Sequence, residues 1–147
     1  MSIKVRVIAT LILISFFSTP VYSSNQELLT AKALFCTTGP GVSTQWEAGK
    51  PVTDFSRFET SFTFSEINVN QGTARLIGVS GSSTVKALVT PIGVTFIEIT
   101  GIGGVFITTI YNKKLEGTVK FPIVDTRHNS VIDPIPSQYY GTCEITP

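Results

Sequence analysis

The sequence is poor in the side chains that most enzymes use for chemistry. It contains one histidine, His128, and two cysteines, and only 14% of its 147 residues are charged. Two thiols and one imidazole are one ligand short of a tetrahedral zinc site, so we predict no metal site. The hydrolase elbow G-x-S-x-G is also missing, because the second glycine of GVSG (78–81) comes one residue too early. We therefore expect a protein that is not an enzyme and has no catalytic residues and no cofactor.

An excess of charge of either sign is lacking too. The whole chain has a formal net charge of +1, from 11 basic and 10 acidic residues. Loss of an N-terminal leader containing Lys4 and Arg6 would leave nine basic against ten acidic residues, a net charge of −1. Neither balance attracts nucleic acid or an anionic membrane surface, and no cluster of basic and aromatic residues is present. We predict no nucleic-acid partner.

The chain begins with the pattern of a secretory signal peptide. Two basic residues precede an apolar run over residues 7–17, and Val21 and Ser23 occupy the −3 and −1 positions of a small-residue cleavage site. The alternative is a membrane anchor, but this run is too short to span a bilayer of about 30 Å. We expect residues 1–23 to be removed, and residues 24–147 to be a single secreted or periplasmic domain without an integral membrane segment.

The two cysteines, Cys36 and Cys143, lie near the two ends of this domain. In an exported chain such a pair is expected to form a disulfide, and two cysteines allow only one pairing. The bond would close a loop of more than 100 residues, which in the chain-entropy account stabilises the fold by about 4–5 kcal/mol. A pair of free thiols is the alternative.

A central stretch, residues 83–111, predicts β-structure. Val, Ile and Thr make up more than half of it, and glycines and a proline divide it into short pieces. β-Branched side chains suit a pleated sheet and lose rotamer freedom in a helix. We predict three strands here, over residues 83–90, 93–100 and 104–111, joined by two tight connections.

The rest of the domain continues the same pattern. Phe58, Phe62 and Phe64 alternate with polar residues, as in a half-buried strand, and short turns separate about eight strands in all. Residues 127–138 contain two prolines and are expected to form a longer loop. We predict an all-β fold, an antiparallel meander closed into a small up-and-down barrel, with a two-sheet β-sandwich as the alternative.

The central strands are apolar on both faces, which indicates a cavity inside the barrel or a covered outer face; a filled interior is the alternative to the cavity. Arg75 shares a strand face with Ile77 and Val79, and Glu98 shares one with Val94 and Phe96. If these faces point inward, the two charges must pair or meet a polar ligand. Our hypothesis is an interior Arg75–Glu98 pair that binds the head group of an apolar ligand, and the alternative is that both are surface residues.

Two further aromatic residues are candidates for the binding site. Trp46, the only tryptophan, is expected either to fill the bottom of the core or to stack on a ligand. Tyr139 either borders the barrel mouth or an interface, or packs near Cys36.

The segments GTARLIG (72–78), TFIE (95–98) and PSQYYGTC (136–143) resemble those of small exported bacterial proteins. No activity comes with this resemblance. The general design is similar to lipocalin-like barrels, which implies a β-barrel. Thr44 and Gln45 precede Trp46 where lipocalins carry G-x-W, so no lipocalin binding residue is transferred to this chain.

The sequence thus predicts an exported, non-enzymatic binding protein that holds a small apolar or amphipathic ligand. The alternative is an interaction or structural module that uses an outer apolar face to form a homodimer or to bind a partner.

Overall fold

The computed structural model describes residues 26–130 and 134–147. The predicted signal peptide, residues 1–23, lies outside them. The described residues form one short helix followed by nine antiparallel strands. These elements are α1 Gln26–Thr30, β1 Leu34–Glu47, β2 Lys50–Ser56, β3 Thr60–Asn68, β4 Thr73–Gly78, β5 Gly81–Thr90, β6 Gly93–Ile99, β7 Val105–Tyr111, β8 Phe121–Ser130 and β9 Pro134–Ile145.

Eight of the strands close into a barrel, which confirms the predicted fold class. Strands β3 to β9 pair in sequence order, and β1 pairs with β3 on one side and with β9 on the other. The predicted central strands are found as β5, β6 and β7. The remaining strand, β2, lies outside the barrel and pairs with residues 41–47 of β1. It follows β1 through Ala48 and Gly49, whose φ angles of 48° and 76° are those that a two-residue hairpin turn requires.

Two glycines allow the tight contact between β1 and β9 where the barrel closes. A Cβ atom at Gly41 would lie 2.0 Å from the backbone oxygen of Gln138, and one at Gly141 would lie 2.0 Å from that of Thr37. The β1–β9 register shifts between Thr38 and Gly41. Only glycine fits at both positions, and such glycines are the usual means by which a strand bends at a barrel corner.

The disulfide joins the same two strands. Cys36 and Cys143 face each other in the β1–β9 register, and both side chains are fully buried in the barrel. The predicted Cys36–Cys143 bond is therefore present.

The barrel is packed solid at the end where β1 begins, which we call the closed end. Leu34, Ile110 and Phe121 are fully buried there, and Leu28 of α1 packs among them. Above this layer, the rings of Phe64 and Phe96 stack with centroids 3.7 Å apart. The interior is thus filled through the lower part of the barrel.

The prediction of a long loop over residues 127–138 is wrong. Strand β8 runs to Ser130 and β9 begins at Pro134, so that most of this segment is a hairpin in which His128 pairs with Pro136. Proline is tolerated there because β9 pairs with β1 only from Ser137 onwards, and the residues before it form a sheet edge in the described part of the chain.

Candidate functional site

A cavity of about 620 Å³ occupies the end of the barrel opposite α1, which we call the open end. Its mouth is formed by the β4–β5 connection around Val79, by the last residue of β6 and the two that follow it (99–101), and by Phe58, which precedes β3. The deeper walls are mostly aromatic and aliphatic. They include Phe62, Phe64, Leu76, Val85, Phe96 and Phe106.

Three charged side chains are found among the described residues that line this cavity, and two of them form an ion pair. Asp125 and Arg127 alternate on the inner face of β8, with Arg127 Nε donating to Asp125 Oδ2 at 2.8 Å. The other carboxylate oxygen accepts a hydrogen bond from the Thr108 hydroxyl at 2.8 Å. Asp125 is only 3% exposed, so these two bonds satisfy a buried carboxylate that would otherwise be very costly.

The guanidinium of Arg127 lies among three aromatic rings. Its central carbon is 4.9 Å from the ring centroid of Phe58, 5.2 Å from that of Tyr139 and 5.3 Å from that of Phe106. These contacts and the Nε bond to Asp125 hold the group in place. Within the described chain, its two terminal nitrogens donate no hydrogen bond to protein, and they are available to the cavity.

The third charge, Glu98, lies on the inner face of β6. Its Oε1 atom accepts a hydrogen bond of 2.6 Å from the Ser83 hydroxyl. Phe106 lies directly opposite Glu98 on β7, and Arg127 lies opposite Phe106 on β8. One aromatic residue therefore separates the lone carboxylate from the ion pair along the barrel wall.

The structure brings Glu98 and Phe96 into the cavity wall. Tyr139 is buried next to the cavity, with its ring 5.4 Å from that of Phe58 and its hydroxyl 3.3 Å from the hydroxyl of Ser56. Trp46 is 48% exposed on the β1–β2 hairpin, so its interpretation as a core plug is wrong, and it is not part of the cavity wall.

The predicted interior pair of Arg75 and Glu98 is wrong as well. Arg75 lies on the outer face of β4, 51% exposed, with its terminal nitrogen 3.8 Å from Glu66. Its neighbours Ala74 and Leu76 take the inward positions. The apolar residues on the Arg75 face were misleading, since Ile77 and Val79 are exposed at the barrel end.

Sequence reasoning missed the Asp125–Arg127 pair. Both residues share a strand face with Phe121 and Ile123, which are buried, so the alternation itself pointed inward. The signal was lost because Arg127 was assigned to a loop. His128 lies on the opposite, outer face of β8 and cannot contact the Asp125 carboxylate.

The described part of the chain shows neither a metal-binding cluster nor a membrane-spanning helix. Within residues 26–130 and 134–147, no group of three His, Cys, Asp or Glu side chains is close enough to hold a metal ion. The same residues contain no helix of the length and apolarity needed to cross a membrane.

Comparison of the chain with protein-family models, with curated proteins and with solved structures finds no significant match in any of the three.

Proposed function

We propose that this chain is an exported, non-enzymatic binding protein that holds a small amphipathic molecule in the open end of its barrel. The observation that carries the proposal is the cavity of about 620 Å³. Small-molecule sites typically enclose roughly 300–1,000 Å³, with apolar walls and a few fixed polar groups. The aromatic walls and the three charged side chains of this cavity fit that description.

The same polar groups argue for binding rather than catalysis. Asp125 is 3% exposed and accepts one hydrogen bond on each oxygen, from Thr108 and from Arg127, an arrangement that suits it to hold Arg127 in place rather than to act as a free base. Among the described residues, Glu98 receives a hydrogen bond from the Ser83 hydroxyl alone and has no second acid–base group as a partner. A fixed guanidinium and a carboxylate on an aromatic wall are groups that orient a ligand.

Export is supported by two features of the chain. Its first 23 residues have the pattern of a cleavable signal peptide. The Cys36–Cys143 disulfide is typical of proteins that fold outside the reducing cytosol.

The proposal is tested by filling the cavity. Ser83 faces the cavity on β5, whereas its neighbour Thr84 is exposed on the outer face of the same strand. We expect Ser83→Trp to lower the affinity for the fluorescent probe N-phenyl-1-naphthylamine at least about tenfold, and Thr84→Trp to leave it unchanged. Equal affinity in the two folded variants would refute binding in the cavity.

The second candidate function is self-association through the outer face of β6, β7 and β8. Apart from His128, the outward positions of these three strands are uncharged, and Ile97 and Ile107 lie directly opposite each other. Because the face carries no Asp, Glu, Lys or Arg, two copies can meet there without charge repulsion. Sedimentation analysis decides this: a concentration-dependent dimer that Ile107→Lys dissociates supports it, and a monomer at all concentrations refutes it.

A further inference from the structure

Of the three charged side chains in the cavity wall, two form an ion pair and the third, Glu98, has no partner of opposite charge among the described residues. Asp125 and Arg127 neutralise each other over 2.8 Å, and Asp125 is buried with both of its oxygens hydrogen-bonded. Glu98 is different: in the described part of the chain its carboxylate receives one hydrogen bond, from Ser83, and no cation lies within ion-pair distance. With one positive and two negative side chains on its described walls, the cavity carries a formal charge of −1.

The uncompensated charge lies in aromatic surroundings. Glu98 alternates with Phe96 on the inner face of β6 and faces Phe106 on β7. A carboxylate beside aromatic rings is the combination that recognises an ammonium group, because the carboxylate attracts the charge and the ring faces add cation–π attraction. The second oxygen of Glu98 has no hydrogen-bond donor among the described residues and can accept one from a ligand.

Arg127 is the competing recognition group, since its terminal nitrogens could bind an anion. Its positive charge, however, is already balanced by Asp125. Glu98 is two strands away, which places the two backbones roughly 10 Å apart, close enough for its negative charge to oppose the binding of an anion at Arg127.

On the basis of the function proposed above, we propose that the ligand is a cationic amphiphile, whose ammonium group pairs with Glu98 while its apolar part lies against the aromatic walls. The neutral Asp125–Arg127 pair offers additional hydrogen-bond donors to uncharged oxygens of the ligand.

A matched series of amphiphiles tests this inference: dodecylamine, dodecanol and dodecanoate share one chain and differ in head-group charge. Each is titrated at neutral pH, below its micelle concentration or, for dodecanol, below its solubility limit, against bound N-phenyl-1-naphthylamine. We expect the amine to bind roughly ten- to a hundredfold more tightly than the alcohol, and the carboxylate to bind most weakly.

The variant Glu98→Gln should abolish the preference for the amine while dodecanol still binds, because glutamine keeps the shape and an acceptor for Ser83. The control Glu116→Gln removes the same charge from an exposed position in the β7–β8 connection and should keep the preference. Equal binding of amine and alcohol, tighter binding of the carboxylate, or a preference that persists in Glu98→Gln would each overturn the ammonium inference and leave the binding function standing. If neither the probe nor any of the three amphiphiles binds, both proposals fail.

Discussion

The two ends of the barrel are built from the same strands but have opposite interiors. At the closed end, the inward positions of β7 and β8 are Ile110 and Phe121, both fully buried, and Leu28 of α1 belongs to the same core cluster. At the open end, the inward positions of these two strands are Phe106 and Arg127, which border a cavity. The inner face of β8 thus changes from apolar residues to the Asp125–Arg127 pair, whereas that of β7 ends in an aromatic residue. The closed end supplies packing, and the open end supplies a site.

The largest effect is expected at the closed end. Phe121→Ala should lower the free energy of unfolding by about 3–5 kcal/mol, because it leaves a cavity among fully buried neighbours. The matched control is Phe55→Ala on β2, where the ring is 66% exposed and its loss should cost less than about 1 kcal/mol. Urea unfolding of both variants measures the difference; similar costs would contradict the division between packed core and exposed hairpin.

The second-largest loss of stability is expected at the pairing of β1 with β9, where the disulfide closes the barrel. Replacing both cysteines, with Cys36→Ala and Cys143→Ala together, should cost about 2–5 kcal/mol, because the bond restricts a sequence separation of 107 residues in the unfolded chain. Adding a reductant during unfolding should shift the midpoint of the wild type towards that of the double variant and leave the variant unchanged. A loss below about 1 kcal/mol would mean that strand pairing alone holds the barrel closed.

The smallest losses of stability are expected when ion pairs are removed. The buried pair at the open end should contribute more than the exposed pair on the outer surface. Asp125→Asn should cost about 1–3 kcal/mol, less than a core truncation, because Arg127 remains in contact with the cavity. Its control, Glu66→Gln, removes the exposed partner of Arg75 and should change stability by less than about 0.5 kcal/mol. Equal costs in thermal or urea unfolding would show that the Asp125–Arg127 pair has no special role in the structure.

The closed barrel could be predicted from the sequence because its signals are local. Alternating apolar residues, short glycine turns and one pair of cysteines define the strands and the barrel closure, and the predicted strands of residues 83–111 match β5, β6 and β7 closely. The extra strand outside the barrel, β2, could not be anticipated from the sequence. It forms because β1 changes its partner from β3 to β2 beyond Thr38.

The site was predicted only in part, because facing inward is a property of the closed sheet rather than of one strand. The hypothesis of an inward face is correct for Glu98 and Phe96, which line the cavity, whereas the surface alternative is correct for Arg75, whose neighbours Ile77 and Val79 are also exposed. The actual interior cation, Arg127, was overlooked because the prolines that follow it on β9 indicated a loop. An unpaired sheet edge explains those prolines, and strand pairing over long sequence distances decides where such an edge lies.

Native mass spectrometry of the protein purified from an exporting host, before and after extraction with organic solvent, tests the central claim most directly. The account predicts a monomer that carries an additional mass, which extraction removes and which identifies the chemical class of the ligand. An empty monomer, or a dimer without additional mass, would contradict the claim that the open end of the barrel holds a ligand.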